Sequence, residues 1–225
     1  MDKSTVPSKI KEIKQSFRQM MDGSVAQSMR DKGLNYHLNW GATLPRLKAK
    51  AEELKANSPR NATLSQREEP TAKSQYDLAI ALWKENVREC KILATMLMPP
   101  EQMLPGVCDI WMEQIPSQEI AEQAAFNLWQ YLPYAPEKAY QWIASDQEYY
   151  QLCGFHVLSR LFMNGQEPNE RGINEFIDQS LSALQGPYMS VRKAAMQSLQ
   201  RFAELGLVYE RMAKSATKSI NLEFL

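Results

Sequence analysis

The chain has 225 residues, of which 23% are charged and 44% are apolar, a balance that excludes a wholly disordered or fibrous protein. Its 26 Lys and Arg residues offset 26 Asp and Glu residues, which argues against a strongly basic nucleic-acid binder but not against a local basic face. Leu and Ala total 45 residues against 18 for Val and Ile, so the composition favours helices over strands.

Cysteine usage and the N-terminal sequence indicate the compartment. Cys90, Cys108 and Cys153 are isolated, with no Cys-x-x-Cys spacing, which is typical of reduced, buried cysteines. The N-terminal stretch is charged and amphipathic, and no apolar run approaches the roughly 18 residues that cross a bilayer. The two histidines, His37 and His156, are too far apart to suggest a metal site. We therefore expect a cytoplasmic protein with no metal ion or cofactor.

Charge is distributed unevenly along the chain. Residues 1–73 hold 14 Lys or Arg against 8 Asp or Glu, whereas residues 74–225 hold 12 against 18. Within that acidic remainder, residues 187–218 are basic again. The neutral total therefore conceals two basic ends and an acidic middle.

The first 56 residues predict three helices. Ile10, Ile13, Phe17 and Met20 recur at helical spacing within residues 8–21. A short second helix, capped by Ser24, follows and ends at Gly33. A third covers residues 44–55 and has four apolar positions directed inward: Leu44, Leu47, Ala51 and Leu54. Residues 57–74 are rich in Ser, Pro, Asn, Thr and charge, so they predict a linker.

From residue 75 onward the sequence predicts consecutive helix pairs. Segments of 10–17 residues alternate with turns near Pro116, residues 133–136, 145–146, 164–168 and 186–187. No run with a period of two residues suggests a strand.

The second helices of these pairs share a register. Aligning Cys90, Ala124, Cys153 and Ala194 places Lys91, Ala125, Gly154 and Ala195 next, and Ile92, Phe126, Phe155 and Met196 after them. A small-small-large pattern on successive helices indicates close backbone approach beside a filled core. It predicts an all-α, HEAT-like superhelix, a solenoid of antiparallel helix pairs that forms one domain over residues 1–225. An irregular helical bundle is the alternative.

Three stretches resemble the DNA alkylation-repair glycosylases of the AlkD-like family. Residues 36–48 (YHLNWGATLPRLK) are similar to its Gly-Val-x-x-Pro-x-Leu-Arg segment. Residues 78–83 (LAIALW) with 88–94 (RECKILA) resemble its Leu-Ala-x-x-Leu-Trp and Glu-x-(Arg/Lys)-x-Leu-Ala block. Residues 191–195 (VRKAA) resemble the Ile-Arg-Lys-Ala-Ile of its last well-defined repeat.

The resemblance implies a HEAT-like solenoid that holds duplex DNA on its concave face. The family removes alkylated purines without flipping the damaged base into a pocket. An Asp stabilises positive charge on the sugar, and an Arg and two Trp contact the DNA beside it. An oxocarbenium-like transition state needs a nearby carboxylate, and phosphates suit a guanidinium.

The chain departs from the family at those positions. The Trp-x-x-x-Asp element aligns with residues 111–115, which keeps Trp111 but places Ile115 where the Asp belongs. Cys153 is nearest to the expected Arg, and Gln197 stands near the place of the second Trp. Only Trp111 of the four functional residues is retained.

Other residues are weaker catalytic candidates. Glu113 and Glu119 are the carboxylates close enough in sequence to substitute for the missing Asp, although both also fit solvated helix surface. His156 lies between Phe155 and Val157, which indicates an interior histidine rather than a catalyst.

The leading hypothesis is a DNA-binding member of this family that lacks the usual glycosylase residues. Double-stranded DNA, intact or damaged, is the expected partner, contacted by Arg46, Lys48, Trp111, Arg192 and Lys193. A HEAT-like protein–protein scaffold is the second hypothesis, since the acidic middle would suit a protein partner. An active alkylpurine glycosylase that uses other residues is the third.

Overall fold

The computed structural model describes residues 6–56 and 68–221, and these residues form helices joined by short turns. The only β contact within them is an isolated parallel bridge between Leu38 and Val87. The α-helices of this part of the chain are α1 (Val6–Gln19), α2 (Gly23–Asp31), α3 (Leu44–Ala56), α4 (Glu68–Trp83), α5 (Arg88–Leu97), α6 (Pro105–Glu113), α7 (Gln118–Asn127), α8 (Ala135–Ile143), α9 (Glu148–Met163), α10 (Glu170–Leu184), α11 (Met189–Ala203) and α12 (Leu207–Ser219).

The chain divides into two compact units, which we call the first unit (residues 1–111) and the second unit (residues 112–225). In the first unit α5 packs against α3 and α4, and α1 packs against α4. In the second unit α9 is the central helix, in contact with α7, α8 and α11. All the residues from Leu152 to Ser159 are buried, as expected for a helix with neighbours on every side.

The predicted register of small residues is confirmed at its first position. Cys90, Ala124, Cys153 and Ala194 are all buried, with at most 2% of their surface exposed. At the third position Ile92 and Phe155 are buried, whereas Phe126 and Met196 are half-buried. The register therefore located the helix contacts correctly, but Phe126 and Met196 are less buried than it predicted.

Gly154 shows why a small residue is needed at the second position. A Cβ atom at Gly154 would lie 2.7 Å from Ile143 Cγ2 and 2.8 Å from the Ala139 carbonyl oxygen. Helices α8 and α9 therefore approach too closely for any side chain at this point. Ala125 and Ala195 are fully buried at the equivalent positions of α7 and α11.

In α5 the second position of the register is Lys91, a long charged residue that is buried in place of a small one. It is 8% exposed, and its ammonium donates a hydrogen bond to the Trp83 carbonyl oxygen at 2.8 Å. The ammonium also lies 4.5 Å from the centroid of the Trp83 ring, a cation–π geometry. Burial lowers the pKa of Lys91. The long side chain of Lys91 is tolerated inside the protein because its ammonium interacts with both the carbonyl oxygen and the ring of Trp83.

Two details of the N-terminal helices differ from the sequence prediction, and a third agrees with it. The N-cap of α2 is Asp22 rather than Ser24, because the Asp22 carboxylate accepts the N–H groups of Ser24 at 3.0 Å and Val25 at 3.1 Å. Leu44 is exposed, since it opens α3 outside the packed face formed by Leu47 and Ala51. Gly33 ends α2 as predicted, with φ at +83°.

The predicted linker is shorter than residues 57–74. Helix α4 begins at Glu68, so the stretch from 68 to 74 belongs to a helix. The sequence of this stretch, EEPTAKS, contains Glu, Ala and Lys, which favour a helix, and a proline that a first helical turn tolerates. The helix continues into the packed residues from Leu78 to Trp83. The other part of that prediction, residues 57–67, lies outside the described residues.

A buried carboxylate joins α5 to the loop that precedes α3. Glu89 is fully buried, and its Oε1 accepts the backbone N–H groups of Trp40 at 3.1 Å and Ala42 at 3.2 Å. The buried Arg88 guanidinium donates to the same Oε1 at 3.3 Å and to the Ala42 carbonyl oxygen at 2.8 Å. The Arg88 N–H donates to the Leu38 carbonyl oxygen at 3.1 Å. Glu89 thus accepts from two N–H groups of the loop before α3, and Arg88 donates to two of its carbonyl oxygens.

The loop itself requires a glycine. Gly41 has φ at +74°, and a Cβ atom there would lie 2.1 Å from the Asp22 carbonyl oxygen. Trp40 accepts the Asp22 N–H at its carbonyl oxygen, at 2.9 Å. The loop therefore binds the start of α2 on one side and α5 on the other.

We expect Glu89→Ala to lower the free energy of unfolding by about 3–5 kcal/mol, because it removes the counter-charge of the buried Arg88 guanidinium and leaves the N–H groups of Trp40 and Ala42 without their acceptor. Urea denaturation measures the change. Glu52→Ala is the matched control, since Glu52 is exposed and its 3.5 Å contact with Lys55 is a surface pair. A Glu89 variant as stable as the Glu52 variant would contradict the proposed role of this carboxylate.

Candidate nucleic-acid interface

The position aligned with the family carboxylate is apolar and buried. Ile115 follows the end of α6, is 8% exposed, and its N–H donates to the Met112 carbonyl oxygen at 3.2 Å. Glu113 is the last residue of α6 and its side chain is exposed. Glu119 is half-buried in the first turn of α7, where a carboxylate is favoured by the helix dipole.

The other two aligned positions have contrasting environments. Cys153 lies in the centre of α9, fully buried, and its thiol donates to the Ala121 carbonyl oxygen of α7 at 3.6 Å. Gln197 is an exposed residue of α11. A buried thiol is neither a cation nor accessible to a phosphate.

Trp111 is buried, which corrects its place among the predicted DNA contacts. Only 2% of its surface is exposed, and its ring stacks on Trp83 with centroids 4.2 Å apart and an interplanar angle of 3°. A ring enclosed in this way presents no face to a DNA sugar. We therefore assign Trp111 to the core of the first unit and leave it out of the DNA-contacting residues proposed below.

The first unit carries a basic groove, which we call the α1 groove. It has a volume of about 660 Å³, an apolar part formed by Val6, Ile10 and Ala81, and cationic side chains of α1 beside it. These cations are Lys11, Lys14 and Arg18, and the acidic residue among them is Glu85, which forms an ion pair with Lys14. The sequence gives no signal for this groove, because periodicity does not show which helix lies opposite α1.

Arg46 and Lys48 of α3 are both exposed, as a phosphate contact requires. The Arg46 guanidinium donates one hydrogen bond to the Met20 carbonyl oxygen at 3.1 Å. One Nη1 bond fixes the side chain while the rest of the fork stays available to a second acceptor. By contrast, Lys50 and Lys55 pair with Glu53 and Glu52.

In the second unit the cations stand at the start of α11. Lys193 is exposed, and Arg192 is half-buried with an Nε that has no hydrogen-bond partner within the described chain. Tyr188, the N-cap residue, supplies no side-chain hydrogen bond to the first turn. A helix start with uncapped N–H groups and two adjacent cations is a favourable environment for a phosphate.

His156 is an interior residue, as predicted. It is 8% exposed, and its ring meets the Phe126 ring edge-on with centroids 4.9 Å apart. Burial, together with the nearby Arg160 guanidinium, lowers the pKa of His156 to about 4. It therefore remains neutral at physiological pH and is a poor proton acceptor there.

His37 is exposed in the loop before α3. Among the described residues no group of three or more His, Cys, Asp or Glu side chains could hold a metal ion. Nor does any helix in this part of the chain have the length and apolarity to cross a membrane.

Comparison with known proteins places the chain in a family. Residues 13–202 match the family described as DNA alkylation repair enzyme, and the chain therefore belongs to that family. No curated protein matches it.

A solved structure described as "A new family of proteins related to the HEAT-like repeat DNA glycosylases with affinity for branched DNA structures" matches with a TM-score of 0.75 and 16% identity. The match covers 93% of this chain and 82% of that one. It confirms the all-α, HEAT-like fold class that the helix register predicted.

We expect the buried His156 to make the protein less stable in acid. Its pKa is about 4 when folded and 6.5 when exposed, so only the unfolded chain takes up the proton as the pH falls below 6.5. The stability present above pH 6.5 should decrease by about 2 kcal/mol between pH 7 and pH 5 from this residue alone.

Urea denaturation of the wild type and His156→Leu at the two pH values measures this contribution. The difference between the pH 7 and pH 5 stabilities should shrink in His156→Leu and stay as in the wild type in the control His37→Leu. A His156→Leu protein that loses as much stability as the wild type would contradict the assignment.

Proposed function

We propose that this member of the DNA alkylation repair family binds double-stranded DNA through its phosphates and does not release alkylated bases. The observation that carries the proposal is a set of exposed or half-buried cations: Lys11 and Arg18 in the α1 groove, Arg46 and Lys48 on α3, and Arg192 and Lys193 on α11. The acid at the start of α11 is Glu148, whose carboxylate accepts the Ser190 hydroxyl at 2.6 Å. Within the part of the chain that the structure describes, none of these six side chains forms an ion pair that a phosphate would have to displace.

These contacts suit the DNA backbone rather than the bases. Lys and Arg side chains that lie on short exposed helix faces reach phosphate oxygens, which carry no sequence information. We therefore propose binding that is independent of sequence.

The shape of the DNA is the finer question. The solved relative is described as having affinity for branched DNA structures. We extend this to the present chain as a proposal, in which a four-way junction binds more tightly than a linear duplex of the same length because it presents more phosphates within reach of separate basic clusters.

The absence of base release is proposed from the residues at the aligned positions. Ile115 offers neither charge nor a hydrogen-bond acceptor, and the Cys153 thiol is enclosed between α9 and α7. No positive charge on a departing sugar is stabilised by such groups. Binding and repair chemistry are thus separate properties of this fold.

We expect DNA affinity to fall steeply with salt, with a log–log slope near −0.9 for each phosphate contact. Arg192→Ala and Lys193→Ala should each reduce the magnitude of that slope by about one contact. The measurement is fluorescence anisotropy of labelled duplex and four-way junction across a salt series.

Arg201→Ala is the matched control for these variants, because Arg201 is also on α11 but already pairs with Glu204 at 2.7 Å. It should leave the slope unchanged. Affinity that is indifferent to salt, or that depends equally on Arg201, would remove the proposal, and absent binding would favour a protein-binding scaffold.

We further expect no appreciable release of N3- or N7-alkylated purines. Loss of one well-placed electrostatic group typically reduces the rate about 100- to 1000-fold, and here three aligned positions differ. Release of methylated purines from DNA is measured with the purified protein and with Glu113→Gln and Glu119→Gln. Robust release that either substitution abolishes would identify a displaced catalytic carboxylate and a working glycosylase.

A further inference from the structure

The second unit contains a groove that DNA binding does not use. It has a volume of about 750 Å³ and lies between α8, the end of α9 and the start of α10; we call it the α8–α10 groove. Its floor is formed by Leu158, Leu161 and Phe162, all of which are otherwise packed in the core. An apolar floor of this kind favours a small or medium-sized apolar side chain.

The rim of the groove is acidic. Glu137, Glu167 and Glu175 line it, against a single cation, Arg171. A neighbouring depression shares Arg171 and Glu175 and adds Glu170 and Asp178. Five carboxylates therefore surround one guanidinium, and this surface repels a polyanion such as DNA.

A buried hydroxyl in the groove also lacks a partner. The Tyr140 hydroxyl is buried and has no hydrogen-bond partner among the described residues. Helix α10 carries Gly172 opposite it, where a Cβ atom would lie 2.9 Å from the hydroxyl oxygen. Burial and the nearby Glu175 raise the pKa of Tyr140 to about 12, so the group remains a hydrogen-bond donor at neutral pH.

We propose that the α8–α10 groove docks a basic segment of a partner protein, with an apolar side chain on the Leu158–Leu161–Phe162 floor and Lys or Arg side chains on the acidic rim. Charge complementarity selects this occupant over an acidic or neutral one. Carboxylates line both the groove and the neighbouring depression, so one extended segment can place several of its Lys or Arg side chains against them. The Tyr140 hydroxyl donates to a carbonyl oxygen of that segment.

The test uses short, end-blocked, labelled peptides and the full-length protein. One peptide is lysine-rich with a central leucine, a second has serine in place of the leucine, and a third has glutamate in place of lysine. Fluorescence anisotropy should show saturable binding of the first peptide, weaker binding of the second and none of the third.

Protein variants locate the binding. Glu137→Lys and Glu175→Lys should each lower the affinity for the peptide that contains lysine and leucine about fivefold. Asp146→Lys, the same charge change at an exposed site of the second unit outside the groove, should change the affinity less than twofold. Tyr140→Phe should weaken binding about two- to tenfold without lowering the urea midpoint, because the free protein loses no hydrogen bond.

Two results would overturn the proposal. One is the absence of saturable binding of the lysine–leucine peptide. The other is a loss of affinity in Asp146→Lys as large as in Glu137→Lys, which would mean general attraction to an acidic protein rather than docking in this groove.

Discussion

The first unit depends on the buried carboxylate of Glu89. Two N–H groups of the loop before α3 point into the protein, where water cannot satisfy them, and the Glu89 Oε1 accepts both. The carboxylate is itself tolerated because Arg88 lies beside it and binds the same loop. Gly41 allows the loop to approach α2 closely enough to be held there. Two of the stretches that resemble the family, 36–48 and 78–94, meet in this cluster through Trp40, Ala42, Arg88 and Glu89, so part of the resemblance is explained by contacts that hold the fold together. The cations that we propose as DNA contacts, Arg46 and Lys48, lie at the exposed end of the first stretch.

The second unit is organised around α9, whose small residues Cys153 and Gly154 contact its neighbouring helices. Gly154 admits α8, and Cys153 contacts the Ala121 carbonyl oxygen of α7. A long cationic side chain at position 153 would have to displace that contact and remain desolvated inside the unit. The absence of an arginine there agrees with the packing, and the phosphate-binding role passes, in our proposal, to cations at the exposed start of α11. The α8–α10 groove has the opposite charge, so in our two proposals the second unit presents separate surfaces to an anionic and a cationic partner.

Helical periodicity was sufficient to predict the fold class, the turn positions and the buried register of Cys90, Ala124, Cys153 and Ala194. Periodicity did not predict burial where a tertiary contact determines it. Arg88, Glu89 and Lys91 are charged yet buried, and only the loop and ring that they bind explain this. Trp111 was predicted at the DNA surface because a resemblance transfers residue identity and not side-chain environment. The α1 groove and the α8–α10 groove each require two or three helices that are distant in sequence, so neither has a local signal.

Our central proposal is that this protein binds DNA through cations on α1, α3 and α11 and does not remove bases. Hydrogen–deuterium exchange with and without saturating duplex at low salt tests this most directly, because it reports every peptide segment without any substitution. We predict protection in α1, α3 and the first turn of α11, and no change in α8 or the first half of α10. Protection confined to the acidic α8–α10 groove, or absent from all three basic helices, would contradict the account.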